Sequence, residues 1–293
     1  MHRFLRAVGF SKIKDRKDLQ RIIANSIQHS DRSGYVINKE GVMLAEFFRD
    51  FADDMGICVC GEFDDEDKFL YEYYYPYLTP SAVSTEEDIT VERHAALFSY
   101  AGVCNEPRFG VTLIFYLQNI IPYIKFENEG RFPVRGISLS LSALSIKGQI
   151  MMPIAKTEEE KEAARRKNGY RNKLINSARR GDENAIESLT LDDMDLYSTI
   201  SKKIRKQDIY TLVDTSFMPY GVECDQYTVL GEIREKRMVT NFLTGEKVHI
   251  LKIICNEIEF DVCINEADLL GEPEIGRRFK GNIWMQGVIN FPH

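Results

Sequence analysis

No apolar run in this 293-residue chain approaches the roughly 18 residues that a membrane-spanning helix needs. The longest candidate, residues 111–121, is rich in β-branched and aromatic residues and is interrupted by Gln118 and Asn119. At the start, Arg3 and Arg6 precede an apolar stretch too brief for a secretory signal, and charged residues follow at once. A glycine-rich loop between a strand and a helix is missing, and with it the usual nucleotide cradle. There are six cysteines but no C-x-x-C pair, so a zinc site lacks its usual local half. Cationic excess is missing too. The formal net charge of −7 argues against general attraction of the whole chain to nucleic acid or anionic lipid. These absences predict a cytoplasmic protein with reduced core cysteines and no membrane partner. Cys58 and Cys60, spaced C-x-C, are expected on opposite faces of one strand.

Apolar residues make up 44% of the chain and charged residues 28%, enough of each for a packed core and a solvated surface. At this length two domains are expected over one. Residues 1–10 read as a short strand, followed by a helix capped by Asp15 or Asp18 with Leu19, Ile22, Ile23 and Ile27 on its apolar face. Segment 40–55 satisfies both helix and strand patterns. Ile57–Cys60 and Phe69–Tyr77 flank the acidic turn Asp64–Asp67 and read as a hairpin; 91–100 and 111–118 read as a second. Ile and Leu alternate with Ser over 137–146, the period of a half-buried strand, and Lys147-Gly148 is expected to turn it into 150–154.

Composition then switches. Thr157-x-x-Glu160 is a capping box opening a helix expected to reach Arg180. A short helix to Leu189, another opened by a second capping box at Thr190, and one more capped by Asp208 are expected next. From Asp225 strands return, about five in quick succession. The prediction is an α+β fold with an antiparallel-rich N-terminal sheet domain over 1–154 and a helical segment over 155–220. A small β-barrel-like domain of the OB or SH3 kind closes the chain over 221–293. The alternative for the last segment is an extra sheet packed on the first domain. Gly276, Gly281 and Gly287 are expected to mark bends in that barrel.

The sharpest chemical feature is the basic helix. Lys161, Arg165, Arg166, Lys167, Arg171, Lys173, Arg179 and Arg180 stand against a single acid, Glu162, over residues 161–180. Cations along one rigid element suit phosphate contacts, although a solvated helix paired with neighbouring acids is the plainer reading. A second candidate is the last strand, where alternation puts Arg278, Lys280, Asn282 and Trp284 on one face. The plainer reading has the one tryptophan plugging the barrel end and the arginines pairing with Glu272 and Glu274. Tyr71, Tyr73, Tyr75 and Tyr77 are expected to share a strand face, either a partner surface or one covered by a helix. Acid–base or nucleophile sets are thinner: Glu62 with Glu72 across the first hairpin, and Cys104 with His94.

Several stretches together carry a resemblance. Met1–Ser11, Gly56–Glu62, Asp268–Gly281 and Trp284–Gly287 resemble a family of uncharacterised proteins, a domain of unknown function from anaerobic Gram-positive bacteria of clostridial type. The resemblance spans nearly the whole chain and implies a bacterial cytosolic origin. It implies no catalytic residues. The residues therefore predict a non-enzymatic binding or regulatory protein without cofactor or metal. Its contact residues would be Arg165, Arg166, Lys167, Arg171, Arg278, Lys280 and Trp284, and its partner a nucleic acid or a protein. The alternative is an enzyme with a pocket in the N-terminal sheet domain.

Overall fold

A computed structural model describes residues 1–13, 15–93, 99–131, 136–154, 158–204 and 213–292. The chain begins with a 3-10 turn, Arg3–Val8, where a strand was expected. Phe4, Leu5, Ala7 and Val8 are all buried there, a one-sided burial that period-two alternation cannot provide. Gly9 closes the turn in the left-handed region, at φ 86°, with its N–H bonded to Arg6 O and Leu5 O. Helix α1 (Arg16–Gln28) follows, capped by the Asp15 carboxylate on Lys17 N–H.

Strands β1 (Arg32–Ile37), β2 (Met43–Ala52), β3 (Met55–Phe63) and β4 (Phe69–Leu78) form an antiparallel meander in sequence order. The ambiguous segment is thus the strand β2, with Phe51 buried against Phe10. The β3–β4 hairpin forms as predicted, and Asp64 Oδ1 holds its tip by accepting from Glu66 N and Lys68 N. Next come β5 (Ile89–Arg93), β6 (Tyr100–Cys104), β7 (Leu113–Leu117) and helix α2 (Ile120–Asn128). The 104–112 turn joins β6 to β7, so the second expected hairpin is drawn later in the chain than its sequence suggested. Strand β8 (Ser138–Met151) runs straight through the position expected to turn. Gly148 is there for space: a Cβ would lie 2.5 Å from the Phe279 ring, and so would one at Gly281.

Helix α3 (Glu158–Arg179) is the basic helix, and α4 (Glu183–Ile204) runs unbroken where two short helices were expected. Thr190, read as a cap, instead donates its hydroxyl to Ile186 O at 2.8 Å, the back-bond of a residue inside a continuous helix. The helix expected at Asp208 lies outside the described residues. Strands β9 (Ser216–Pro219), β10 (Gln226–Thr240), β11 (Lys247–Cys255), β12 (Ile258–Asn265), the two-residue β13 (Leu269–Leu270) and β14 (Arg278–Asn290) complete the chain.

The fold is α+β, with the antiparallel four-stranded sheet first, the helices in the middle and a five-stranded barrel. The barrel order is β8–β12–β11–β10–β14, and β14 pairs back onto β8 along its full length. Its closing strand, β8, therefore comes from before the helices. Beyond the barrel, β14 takes β7 as a parallel neighbour through Gln286 and Gly287, and β6 and β5 extend that edge. A buried polar seam ties the meander to this extension. Gln118 Nε2 donates to Leu78 O, Ser142 Oγ and Gln286 Oε1, while Gln286 Nε2 donates to Pro76 O. Among the described residues no helix is long and apolar enough to cross a membrane.

Candidate aromatic cleft and buried thiol cluster

Where β4, β7, β14 and the N-terminal turn meet, a cleft of about 600 Å³ opens to solvent. Phe4, Tyr73, Tyr74, Tyr75, Tyr116 and Trp284 form its walls. The sheet geometry explains the tyrosines. A bulge between Cys60 and Gly61 pairs Cys60 with Tyr73 but Gly61 with Tyr71, leaving Glu72 as the extra residue. Tyr73, Tyr75 and Tyr77 share a face as expected, whereas Tyr71 is flipped away and stands exposed. The Tyr75 and Tyr116 rings lie 4.7 Å apart, and the Tyr116 and Trp284 rings 5.2 Å apart. Phe4 stacks on Trp284 at 5.4 Å. Trp284 is fixed by its Nε1–H, which donates to Asp225 Oδ2 at 2.6 Å. These ring separations are those of offset and tilted aromatic pairs, which hold one another rigidly.

The polar edge of the cleft consists of His2, Arg3, Glu223, Asp225 and Gln226. Arg3 bonds to the Gln226 side-chain oxygen. The His2 ring sits 4.8 Å from Trp284, and burial, reinforced by positive charge at Met1 and Arg3, lowers its pKa to about 4. It is a neutral imidazole at pH 7. Its Nδ1 is buried and has no hydrogen-bond partner among the described residues.

Behind the tyrosine wall lies a second group. Glu46 of β2 pairs across the sheet with Cys60 of β3, and Cys58 is two residues along. The expectation that Cys58 and Cys60 face opposite ways is corrected. A strand repeats every two residues, so i and i+2 share a face, and the two sulfurs lie 3.7 Å apart. One donor atom from each of Glu46, Cys58 and Cys60 lies within 4.8 Å of the others, all fully out of solvent. Burial pushes the Glu46 pKa up to about 8, partly countered by the Ile121 N–H, and raises both thiols. Glu46 Oε1 has no partner among the described residues. The Tyr75 hydroxyl, which also donates to Gln118 O, interacts with Cys58, and that of Tyr73 with Cys60. Tyr73 and Tyr116 join hydroxyl to hydroxyl, so Tyr73 belongs to both the cluster and the cleft.

The other sequence candidates are placed as follows. Arg166 and Lys167 are exposed on α3, Arg171 is half-buried and partnered, and the Arg165 side chain lies outside the described ones. On β14, Arg278, Lys280, Asn282 and Trp284 do share a face, set against Glu232, Leu230, Thr228 and Gln226 of β10. That face is covered at both ends. Arg278 is 6% exposed, donating from Nε to Met152 O and from Nη1 to Val213 O, and Trp284 is 5% exposed inside the cleft wall. Lys280 is half-buried and partnered. Arg277, not Arg278, pairs with Glu274. Gly281 and Gly287 sit inside β14 rather than at bends, leaving room for the Phe279 and Phe115 rings. Glu62 pairs with Leu70, and burial, with the Glu62 charge adding to it, raises the pKa of Glu72 at the bulge. Cys104 is buried, its thiol pushed up to about 12 by burial and by Glu106; His94 lies outside the described residues.

Sequence reasoning missed the cleft because its walls come from four separated segments. It missed Glu46 because that residue stands on a different strand from the cysteines. The exposed signals were the lone Trp284 and the tyrosine run. Compared with known proteins, residues 5–287 match the model of a family described as "Domain of unknown function, E. rectale Gene description (DUF3881)". No curated protein and no solved structure matches the chain.

Proposed function

The chain belongs to DUF3881, a family of domains of unknown function, and we propose that it is a non-enzymatic binding protein whose aromatic cleft takes a small planar heterocycle. The observation that carries this reading is the cleft of about 600 Å³, within the size range of small-molecule sites, walled by aromatic rings and edged by a few polar groups. A flat ring entering such a cleft would stack with an offset on its half-exposed wall residue, Tyr74. The unpartnered His2 Nδ1 supports the same reading, since a buried ring nitrogen without a partner is costly unless a ligand or water supplies one. Glu223 and Arg3, exposed at the mouth, offer opposite charges to a polar substituent.

The test uses the lone tryptophan. Heterocycles of one and two rings, titrated into the purified full chain, are expected to change Trp284 emission saturably. Tyr74→Ala removes a half-exposed wall residue and should weaken that binding at least tenfold, the worth of one stacked ring.

A second reading rests on the exposure of Arg166, Lys167 and Lys173 along α3. A phosphate-rich partner such as single-stranded nucleic acid would bind there with a steep salt dependence. Fluorescence anisotropy with labelled oligonucleotides at low and near-physiological salt tests it. No binding at low salt removes the nucleic-acid reading.

A further inference from the structure

We propose that Cys58, Cys60 and Glu46 hold a zinc ion, or another thiophilic divalent cation of that size, in the core of the four-stranded sheet. The inference is independent of the cleft reading. It starts from the sulfur spacing. Two thiolates bound tetrahedrally at about 2.3 Å from zinc lie roughly 3.8 Å apart, and Cys58 Sγ and Cys60 Sγ are 3.7 Å apart. The third donor is Glu46, set beside Cys60 by the β2–β3 register. Its oxygen lies within 4.8 Å of both sulfurs, and a side-chain movement on the order of 1 Å completes a bonding distance.

An independent observation points the same way. Glu46 is 2% exposed, and its Oε1 has no hydrogen-bond partner among the described residues. Buried carboxyl oxygens are almost always satisfied, because leaving one bare costs a kilocalorie or more. A cation between Glu46 and the two sulfurs supplies the missing partner. The Ile121 N–H at the start of α2 acts on the same carboxyl, partly countering the effect of burial on its pKa.

The surroundings fit a metal centre. The Tyr75 and Tyr73 hydroxyls lie close enough to Cys58 and Cys60 to act on their pKa values, and they line the cluster on the cleft side. Two thiolates and one carboxylate outweigh the charge of a divalent ion by one. The Arg32 guanidinium, 4.9 Å from the Phe48 ring and 3.7 Å from the Asp50 carboxylate, also interacts electrostatically with Cys58. On binding, the two thiol protons and the Glu46 carboxyl proton leave to solvent as the two S–metal bonds and the O–metal bond form.

The rival is a pair of reduced thiols joined by a weak S–H···S contact. The experiment measures zinc in the full chain purified under reducing conditions without chelator, and records the absorption of the cobalt(II)-loaded protein. One zinc per chain is expected, with thiolate-to-cobalt charge-transfer bands. Cys58→Ser and Cys60→Ser should each remove the charge-transfer intensity by about half or more and lower zinc affinity at least a hundredfold. Glu46→Gln, which preserves shape, should lower it at least tenfold while Trp284 emission and circular dichroism stay unchanged. The proposal is overturned by folded wild-type protein that takes up no zinc or cobalt. It is equally overturned by cobalt bands of undiminished intensity in Cys58→Ser, or by a Cys58–Cys60 disulfide found by mass spectrometry in protein that binds no metal. Should the serine variants not fold, the wild-type cobalt spectrum and the Glu46→Gln affinity decide between the same outcomes.

Discussion

His2 couples the cleft to pH. Its folded pKa of about 4 lies below the ordinary 6.5, so the native state favours the neutral ring. The unfolded chain therefore gains a proton first as pH falls. The stability from the neutral imidazole is fully present above pH 6.5 and is lost between 6.5 and about 4. The displacement corresponds to up to about 3 kcal/mol. Urea midpoints across that window should fall for the wild type, and the slope should flatten for His2→Phe, which keeps a ring against Trp284. A slope that survives the substitution assigns the acid sensitivity to another group. Gly56 sets a different limit. A Cβ there would sit 1.9 Å from Arg49 O, beside the bulge that closes the β2–β3 turn. Backbone has to move to accept it, so Gly56→Ala should cost about 2 kcal/mol or more, read from the denaturant midpoint.

Among the elements, β8 and β14 decide the architecture. The polar seam shows how tightly they join the meander. Gln118→Leu removes both amide N–H donors, which are shared among Leu78 O, Ser142 Oγ and Gln286 Oε1, and leaves these buried groups on three elements with fewer donors. A loss of about 2–4 kcal/mol is expected in equilibrium unfolding; a neutral effect would mean that water replaces the amide. Element type was readable in the sequence wherever period and turn chemistry agreed, as in the β3–β4 hairpin with its Asp64 turn and in α1 with its Asp15 cap. It was unreadable where glycine served packing. Gly148 imitates a turn, yet its role is to admit the Phe279 ring from a strand 131 positions later. Thr190 imitates a cap, and only the helix already formed around Ile186 turns its hydroxyl inward. The site suffered most: cross-strand register puts Glu46 beside Cys60, and no local pattern records register.

At the scale of the whole molecule, the barrel takes a wall from the part of the chain that precedes the helices. Because β8 closes the barrel against both β12 and β14, a fragment of residues 213–292 lacks a wall and exposes two long strand edges. It is expected to be unfolded or aggregated, with no near-ultraviolet dichroism, whereas the full chain is cooperative. A folded fragment would show that the C-terminal strands form a domain of their own. The cleft likewise draws on separated parts of the chain, since its walls come from the N-terminal turn, β4, β7 and β14. A rigid aromatic cleft assembled from four segments is the feature on which the functional account stands. Its most direct test is the titration of planar heterocycles into the full chain, followed by Trp284 emission. Saturable change is expected for at least one ring class, weakened at least tenfold in Tyr74→Ala. Emission that no heterocycle alters, in folded protein, would contradict it.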